Sequence, residues 1–223
     1  MLIGESVGRD IMTRRSIVLR SRGFTDTHTV QGKGPIYRLR TLLPVPLVLM
    51  VALWSEPTLA SLWRGGIFLL LGELVRLLSA GYLSGLRLCL HEGRLVTWGP
   101  YGLVRHPRGW GTLLAGVGIA VMSGWWPAYL LLACFVAIGV GHIIPTEEAL
   151  FAEEFGEAYK VYCQRVPRYV PGGEHLLRWF RESRGEAREG VPRFRARQAW
   201  QAEGPILIFL AGVVGAMVVQ WLF

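Results

Sequence analysis

The chain has 223 residues, of which 52% are hydrophobic and 18% are charged. Soluble domains carry about 25% charged residues, so this composition disfavours a soluble protein and indicates a membrane protein. The net charge is +8, and every one of the 24 basic residues except Lys33 and Lys160 is an arginine. Because the sequence lacks basic patches interleaved with stacking aromatics, the basic excess indicates anionic lipid as a partner and not nucleic acid.

The three cysteines, Cys89, Cys134 and Cys163, are far apart and odd in number. Neither a Cys-x-x-Cys pair nor a Cys/His ligand spacing occurs in the sequence. The sequence therefore predicts neither a disulfide framework nor a metal site.

Residues 1–40 form a basic arm, with eight Arg or Lys residues against three acids. Glycine, serine and threonine are scattered through the arm, and no apolar core follows its basic start. We interpret the arm as a partly disordered cytoplasmic segment, with a weak signal for an amphipathic surface helix around residues 11–19.

Residues 41–171 are predicted to form an all-α transmembrane core, which begins with two apolar stretches. The first, residues 41–55, is short for a span, since a hydrocarbon core of ~30 Å requires about 20 helical residues. The second, residues 59–84, carries Glu73 and Arg76, which share a helix face because they are three residues apart. Two interpretations are open: a structural ion pair, or Arg76 at the cytoplasmic end of a ligand pocket.

Residues 109–146 are 38 residues without Asp, Glu, Lys or Arg. As one helix they would be roughly 57 Å long, which is too long for one crossing and suits two. The turn is expected at residues 123–127, Ser-Gly-Trp-Trp-Pro, where Gly and Pro break the helix and the tryptophans suit the membrane interface. Small residues repeat every four positions and would let helices approach closely. These sets are Gly111/Ala115, Gly116/Ala120 and Ala133/Ala137/Gly141.

Residues 146–163 are predicted to form an amphipathic helix, with Thr146 as its N-cap and acids in its first turns. Residues 172–203 are predicted to be a charged surface segment, with a short helix near residues 175–181. Residues 204–223 are again free of charge for 20 residues, about 30 Å of helix, and are predicted to form the last span.

About five spans give one consistent topology. The arm and the polar segments 85–108 and 146–203 fall on one side and hold 22 of the 24 basic residues, whereas the turns at 55–58 and 123–128 hold none. The positive-inside rule places the basic side in the cytoplasm and the end of the last span outside. The sequence thus predicts an integral membrane protein, expected in a bacterial inner membrane.

Two polar clusters lie next to the apolar hairpin. The stretch 95–111 is rich in turns and contains Arg105-His106-Pro107, whereas Glu147-Glu148 follow the hairpin. Taken singly, each has an ordinary explanation, because Pro suits the start of a span and glutamates suit a helix N-terminus. The predicted topology brings both clusters to the cytoplasmic face.

Taken together, the two clusters follow a recognisable order. Residues 95–107 read Leu-Val-Thr-x-Gly-Pro-Tyr-x-x-x-Arg-His-Pro, and residues 147–171 read Glu-Glu-x-x-Leu/Phe-x-x-x-Phe-Gly-x-x-Tyr-x-x-Tyr-x-x-x-Val-Pro-Arg-x-x-Pro. This two-part pattern, with a charge-free hairpin between its parts, resembles the isoprenylcysteine carboxyl methyltransferase family and the related phospholipid methyltransferases. The resemblance covers about residues 71–171.

The resemblance implies an integral-membrane enzyme that uses S-adenosylmethionine, bound at the cytoplasmic face between the hairpin and the helix carrying the glutamates. A carboxylate suits the ammonium of this cofactor, and an aromatic face suits a cation. The implied cofactor contacts are Leu95, Val96, Tyr101, His106, Pro107, Glu147 and Glu148. The expected catalytic residues are Glu148, Arg76 and Arg105, the two arginines as cations for a carboxylate acceptor. The acceptor is expected to be lipophilic, and no metal is required.

The sequence departs from the family pattern in three places. Gly109 lies where the family usually has Tyr, and Gly93 lies where it often has His. Ile143 and Ile144 occupy the region where the family often has an Arg that contacts the acceptor. A prenylcysteine-like carboxylate, a phospholipid amine and a small thiol all remain open as acceptors. A membrane scaffold without catalytic activity is the alternative of another class.

Overall fold

The computed structural model describes residues 44–83, 90–91, 94–184 and 194–223. These residues are almost entirely helical, as predicted. They also contain one short antiparallel pair, β1 (Leu90–His91) and β2 (Arg94–Leu95), in which Leu90 is opposite Leu95. The basic arm 1–40 and its predicted helix at 11–19 lie outside the described residues.

The described residues form nine α-helices. They are α1 (Pro44–Leu53), α2 (Leu59–Gly81), α3 (Pro100–Leu103), α4 (Pro107–Ser123), α5 (Pro127–Ile138), α6 (Ile144–Phe155), α7 (Glu157–Arg165), α8 (Gly173–Arg184) and α9 (Ala196–Leu222). A π-helical turn, Gly139–Ile143, joins α5 to α6, so one continuous helix runs over Pro127–Phe155.

Helices α2 and α4 pack with their backbones in contact. A Cβ atom added at Gly72 would lie 2.5 Å from the Ala115 nitrogen, and one added at Gly118 would lie 2.6 Å from the Leu69 nitrogen. Such close approach requires small residues and is typical of helix pairs in membranes. The predicted small-residue face at Gly111 and Ala115 is therefore used, but against α2 and not within the hairpin.

The second arm of the hairpin contributes little to this packing. Ala133, Ala137 and Gly141 are all exposed, and a Cβ atom at Gly141 would meet nothing within 4 Å. The apolar core lies mainly between α1, α2, α4 and α9, where Ile119, Leu210 and Met217 are buried together, and Ala128 at the start of α5 completes it.

The predicted turn at residues 123–127 is confirmed. Helix α4 ends at Ser123, and Gly124 follows with φ +64°, the left-handed conformation that favours glycine. The Glu56 nitrogen donates to the Ser123 oxygen at 2.7 Å, which ties this turn to the connection between α1 and α2. The turns predicted at 55–58 and 123–128 therefore lie at the same end of the molecule.

Three helix boundaries differ from the prediction. Thr146 is not an N-cap, because the helix continues through it and its Oγ1 donates to the His142 oxygen at 2.7 Å. The predicted helix 146–163 is divided at Gly156, which has φ +53°. The last helix begins at Ala196, before the charge-free stretch, whereas the predicted helix at 175–181 is confirmed within α8.

Two helices in the described part of the chain are long and apolar enough to cross a bilayer, Pro127–Phe155 and Ala196–Leu222. In the first, only the charge-free part, residues 127–146, would lie in the hydrocarbon, because acids fill the turns after it. Helix α1 has 10 residues and α2 contains three charged residues. The count of five spans therefore stays a prediction.

Gly118→Ala is expected to destabilise the protein by about 1–3 kcal/mol, the usual cost of overpacking a closed contact. The physical reason is the new Cβ atom at 2.6 Å from the Leu69 nitrogen. The matched control is Gly66→Ala, where a Cβ atom meets nothing within 4 Å, so helix propensity should raise stability by up to about 1 kcal/mol. The midpoint of SDS-induced unfolding, followed by far-UV circular dichroism, measures both variants. Equal midpoints would contradict the backbone contact between α2 and α4.

Candidate functional site

The turn that opens α3 is shaped by Gly99 and Pro100. Gly99 has φ +60°, and a Cβ atom there would lie 3.0 Å from the Tyr82 ring, so both conformation and space favour glycine. Pro100 takes the first helical position, where its missing N–H costs nothing. The turn directs Tyr101 into the protein, where only 2% of the residue is exposed.

Glu148, on α6, is the centre of a network of charged side chains. Its Oε1 atom lies 3.3 Å from His106 Nε2 and accepts from Arg105 Nη1 at 3.2 Å and from Arg168 Nε at 3.0 Å. Arg168 also donates from Nε to Oε2 at 3.0 Å and contacts Oε2 through Nη2. His106 and Glu148 are 42 residues apart in the chain, so the two parts of the sequence pattern are in direct contact.

Glu147 lies on the other side of the same imidazole. Its Oε2 atom is 3.8 Å from His106 Nδ1, and Glu147 and His106 are each 8% exposed. His106 also directly precedes Pro107, which starts α4, so the ordinary explanation of His106-Pro107 as a helix start is correct as well. The imidazole therefore has one carboxylate near each ring nitrogen.

The hydrogen-bond partners of Glu148 determine its charge state. Glu148 lies outside the charge-free part of its helix, residues 127–146. Burial by itself would raise the pKa of Glu148, but hydrogen bonds from His106 and Arg168 outweigh burial and lower the pKa to about 2. The hydrogen bonds that Arg168 donates to Glu148 also raise the pKa of Arg168. Glu148 is therefore ionised at physiological pH and accepts hydrogen bonds without donating a proton.

Arg105 links the start of α4 to the end of α7. It donates from Nε to the Val166 oxygen at 2.8 Å and from Nη2 to the Cys163 oxygen at 2.8 Å. Its backbone nitrogen donates to the Pro167 oxygen at 3.0 Å. An arginine suits this position, because the last carbonyl groups of a helix lack partners within the helix.

The predicted contact residues Leu95, Val96 and Tyr101 line the interior beside the Glu148 network. Val96 is fully buried, and it packs with Tyr101 and Leu83. Leu95 packs against a neighbouring aromatic cluster made of Phe151, Phe155, Tyr159, Tyr162 and Val166. The Tyr162 hydroxyl donates to the Tyr101 oxygen at 2.7 Å and so connects the two clusters.

Arg76 belongs to a second ionic cluster, formed with α9. Its Nε donates to Glu203 Oε2 at 3.2 Å, and its Nη1 is 3.4 Å from Glu73 Oε1. Arg108 Nη2 lies 2.7 Å from Glu203 Oε1, and Glu203 is 0% exposed. The structural ion pair between Glu73 and Arg76 is therefore present, and Glu203 is an additional partner of Arg76.

Sequence reasoning missed Glu203, Arg108 and Arg168 as members of these networks. Glu203 carries a usable signal, since it is the last charged residue before the charge-free stretch 204–223 and a buried acid requires a paired cation. Arg168 lies inside the recognised pattern, in Val-Pro-Arg. The sequence does not indicate which arginine meets which glutamate.

Two buried donors near the networks are available to a ligand. Trp98 Nε1 and the Tyr159 hydroxyl have no hydrogen-bond partner among the residues that the structure describes. Burial, with the nearby Glu148 carboxylate, raises the pKa of Tyr159, so the phenol keeps its proton. An unsatisfied buried donor costs about 1–3 kcal/mol, which a ligand acceptor would relieve. Across the described ranges, no group of three or more His, Cys, Asp or Glu side chains is arranged to hold a metal ion.

Glu148→Gln is expected to destabilise the protein by about 2–3 kcal/mol, because Arg105 and Arg168 lose their counter-charge. The effect stays below that of a fully buried pair, since the Arg168 side chain is 41% exposed. Glu153→Gln is the matched control, because Glu153 lies on the same helix and is exposed. Unfolding midpoints in detergent measure both, and a Glu148→Gln midpoint equal to that of the control would contradict the network.

Glu203→Ala should cost about 3–5 kcal/mol, because it leaves Arg108 without its buried counter-charge and leaves Arg76 with Glu73 alone. Gln201→Ala, at an exposed position of the same helix, is the control and should unfold like the unmodified protein. The comparison is made from the temperature at which each detergent-solubilised variant loses helical signal. If the two variants unfold together, α9 is not anchored by this cluster.

Comparison with known proteins supports the resemblance seen in the sequence. A family model described as phospholipid methyltransferase matches residues 58–158. Protein-S-isoprenylcysteine O-methyltransferase B of Arabidopsis thaliana is 35% identical over 114 residues, which cover 48% of this chain and 57% of that protein. The protein-S-isoprenylcysteine O-methyltransferase of Schizosaccharomyces pombe is 34% identical over 77 residues, covering 34% of this chain and 33% of that protein.

A bacterial relative is named as a metal-resistance protein and not as a methyltransferase. The cobalt-zinc-cadmium resistance protein of Cupriavidus metallidurans is 33% identical over 118 residues, which cover 53% of this chain and 51% of that protein. The chain thus spans from a third to just over half of the length of these curated relatives. No solved structure matches it.

The matched segment contains α2, α4, the hairpin and the residues His106, Glu147 and Glu148. The family and the two apolar helices together support a location in the membrane. Residues 58–158 therefore resemble the phospholipid methyltransferases, and the resemblance of this chain to the isoprenylcysteine carboxyl methyltransferases is confirmed.

Proposed function

We propose that this protein is a membrane-embedded methyltransferase that uses S-adenosylmethionine and acts on a lipophilic acceptor reached from the bilayer. The observation that carries the proposal is the position of His106 between Glu147 and Glu148, where the two parts of the family pattern meet. The cytoplasmic position of the site follows from the distribution of basic residues and is part of the proposal.

The residues of the site suit the chemical groups of S-adenosylmethionine. The cofactor has an ammonium, a carboxylate and a sulfonium centre, so it requires both an anionic partner and hydrogen-bond donors. Glu147, which is buried beside His106, supplies a carboxylate for the ammonium. Trp98 and Tyr159 supply buried donors that lack a partner within the described residues. These observations support a fit between the site and the cofactor.

The residues of the chain contribute mainly by positioning. Glu148 fixes the His106 ring and the start of α4, while Leu95 and Val96 provide an apolar wall that excludes water. When bound, S-adenosylmethionine supplies an activated methyl group. In-line transfer of this group depends on orientation and on a dry site, which is the environment that these side chains create.

The acceptor most suggested by the relatives is the carboxylate of a prenylcysteine-like substrate, with a small thiol as an alternative. A second candidate acceptor is a phospholipid amine. It is favoured because both candidate arginines already have partners within the protein. Arg76 is engaged by Glu203, and Arg105 by Glu148 and two backbone carbonyls. An amine acceptor has no need of these cations, whereas a carboxylate acceptor would compete for them.

A scaffold that kept the fold and lost the chemistry is the alternative of another class. It is favoured by Ile143 and Ile144, which lie where the family often has an acceptor-binding arginine. Binding of the cofactor separates the two hypotheses, because a scaffold has no need to bind it. A labelled-methyl assay on native membrane extracts, followed by identification of the product, would then name the acceptor.

The purified protein is expected to bind S-adenosylhomocysteine in isothermal titration calorimetry. His106→Ala should weaken this binding by about 10–100-fold, the cost of losing a hydrogen bond that involves charged groups. His142→Ala is the matched control, because His142 is exposed in the π-helical turn, and it should bind like the unmodified protein.

Circular dichroism checks that both histidine variants are folded. No binding by the unmodified protein at millimolar ligand would refute the proposed function. Equal binding by the two variants would show that the cofactor lies elsewhere.

A further inference from the structure

Helix α8 packs on the turn that opens α3. Trp179 Nε1 donates to the Gly99 oxygen at 2.9 Å, and His175 Nε2 donates to the Gly102 oxygen at 3.0 Å. Trp179 and His175 are four residues apart and therefore lie on one face of the helix. This inner face fixes both ends of the turn that carries Tyr101.

The outer edge of α8 is apolar and open. Leu177 is 62% exposed and Phe180 is 47% exposed, and a spacing of three residues places them on one edge. The sequence of α8 also contains Arg178, Arg181 and Arg184 against Glu174 and Glu182, so the helix carries an excess of positive charge. An apolar edge combined with arginines is typical of helices that lie in a membrane surface.

The depth of α8 follows from a chain of contacts to α2 and α9. Trp179 contacts Gly99, and Gly99 lies against the Tyr82 ring at the end of α2. Tyr82 in turn lies edge-on to Phe194, with ring centroids 6.0 Å apart, just before α9 begins. The inner face of α8 therefore lies at the same depth, measured along the membrane normal, as the end of α2 and the residues that precede α9.

This level corresponds to the headgroup layer of a bilayer. Arg76 pairs with Glu203, which directly precedes the charge-free part of α9, so this pair marks the edge of the hydrocarbon. Gly81 is five residues beyond Arg76, or about 7.5 Å along a helix. The headgroup layer on each side of the hydrocarbon is about 5–8 Å thick. The end of α2, and α8 with it, thus lies where lipid headgroups are.

We propose that α8 is an interfacial helix whose Leu177–Phe180 edge inserts into the membrane surface while the exposed Arg181 pairs with anionic lipid headgroups. Phe180 contacts Trp179 with ring centroids 5.1 Å apart, so lipid against Phe180 also supports the side chain that fixes Gly99. The membrane surface thereby stabilises the turn that carries Tyr101. This inference does not rest on the proposed methyltransferase activity.

The test measures the depth of α8 directly. In a background with Cys89, Cys134 and Cys163 replaced by serine, single cysteines are introduced by Leu177→Cys or Lys160→Cys and labelled with a fluorophore. Lys160 is the control, because it lies on α7 with its side chain 67% exposed in an ion pair with Glu157. The labelled proteins are reconstituted in vesicles of phosphatidylcholine and phosphatidylglycerol that contain spin-labelled lipid.

The label at 177 is expected to lose fluorescence to the spin-labelled lipid, and the label at 160 is expected to keep it. Removing phosphatidylglycerol from the vesicles, or adding the substitution Arg181→Gln, should reduce the quenching of the label at position 177. Equal signals at the two positions would overturn the proposal. Energy transfer between labels at 177 on different molecules, without quenching by lipid, would identify a second copy of the chain as the occupant and would also overturn it.

A second measurement uses the unmodified protein, so that the proposal can be tested even if the variant without its native cysteines does not fold. Hydrogen–deuterium exchange of the backbone over residues 173–184 should be slower in nanodiscs that contain phosphatidylglycerol than in nanodiscs of phosphatidylcholine alone. Exchange that is the same in both kinds of nanodisc would contradict pairing with anionic lipid. Neither measurement depends on the cofactor, so failure here and failure of the proposed function are distinguishable.

Discussion

Hydrogen bonds to the Glu148 carboxylate connect segments that lie on both sides of the apolar hairpin. Arg105 and His106 come from the residues before α4, and Arg168 comes from those after α7. Without this anion, two guanidinium groups would be partly removed from water without a paired carboxylate. The Glu148 carboxylate therefore joins the start of α4 to α6 and to the residues after α7, beside the bonds from Arg105 to backbone carbonyls. The same charge orients the imidazole in the proposed cofactor site, so folding and function share one interaction.

Helix α2 connects this network to the rest of the membrane core. Along most of its length it contacts the α4 backbone at glycines, whereas near its end Arg76 pairs with the buried Glu203 of α9. Apolar burial drives helices together only weakly inside lipid, so close packing and polar contacts have to hold them. Arg108, in the first turn of α4, also contacts Glu203. Helix α9 therefore supports the start of α4, although α9 lies outside the segment that matches the family model.

Much of this architecture is readable from the sequence, but the choice of partners is not. Charge-free length and the Gly-Trp-Trp-Pro break predict the hairpin, and the two-part pattern predicts that the segments around His106 and Glu148 belong together. The small residues Gly111 and Ala115 predict a close helix–helix contact, but their periodicity does not indicate whether α2 or α5 is the partner helix. Thr146 has the chemistry of an N-cap, but a helix that continues through the π-helical turn overrides that local preference. Pairing of Arg76 with Glu203 requires knowledge of three-dimensional proximity across 127 residues.

The π-helical turn Gly139–Ile143 has a geometric consequence for the two glutamates. A π-helical turn accommodates one extra residue, and each residue of an α-helix advances the side-chain direction by about 100°. The turn therefore resets the angular phase of the helix between its two halves. On the α5 side, Ala133, Cys134 and Ala137 point away from the protein. After the reset, Glu147 and Phe151 point inward, so one continuous helix exposes apolar side chains in its first half and buries the Glu147 carboxylate beside His106 in its second.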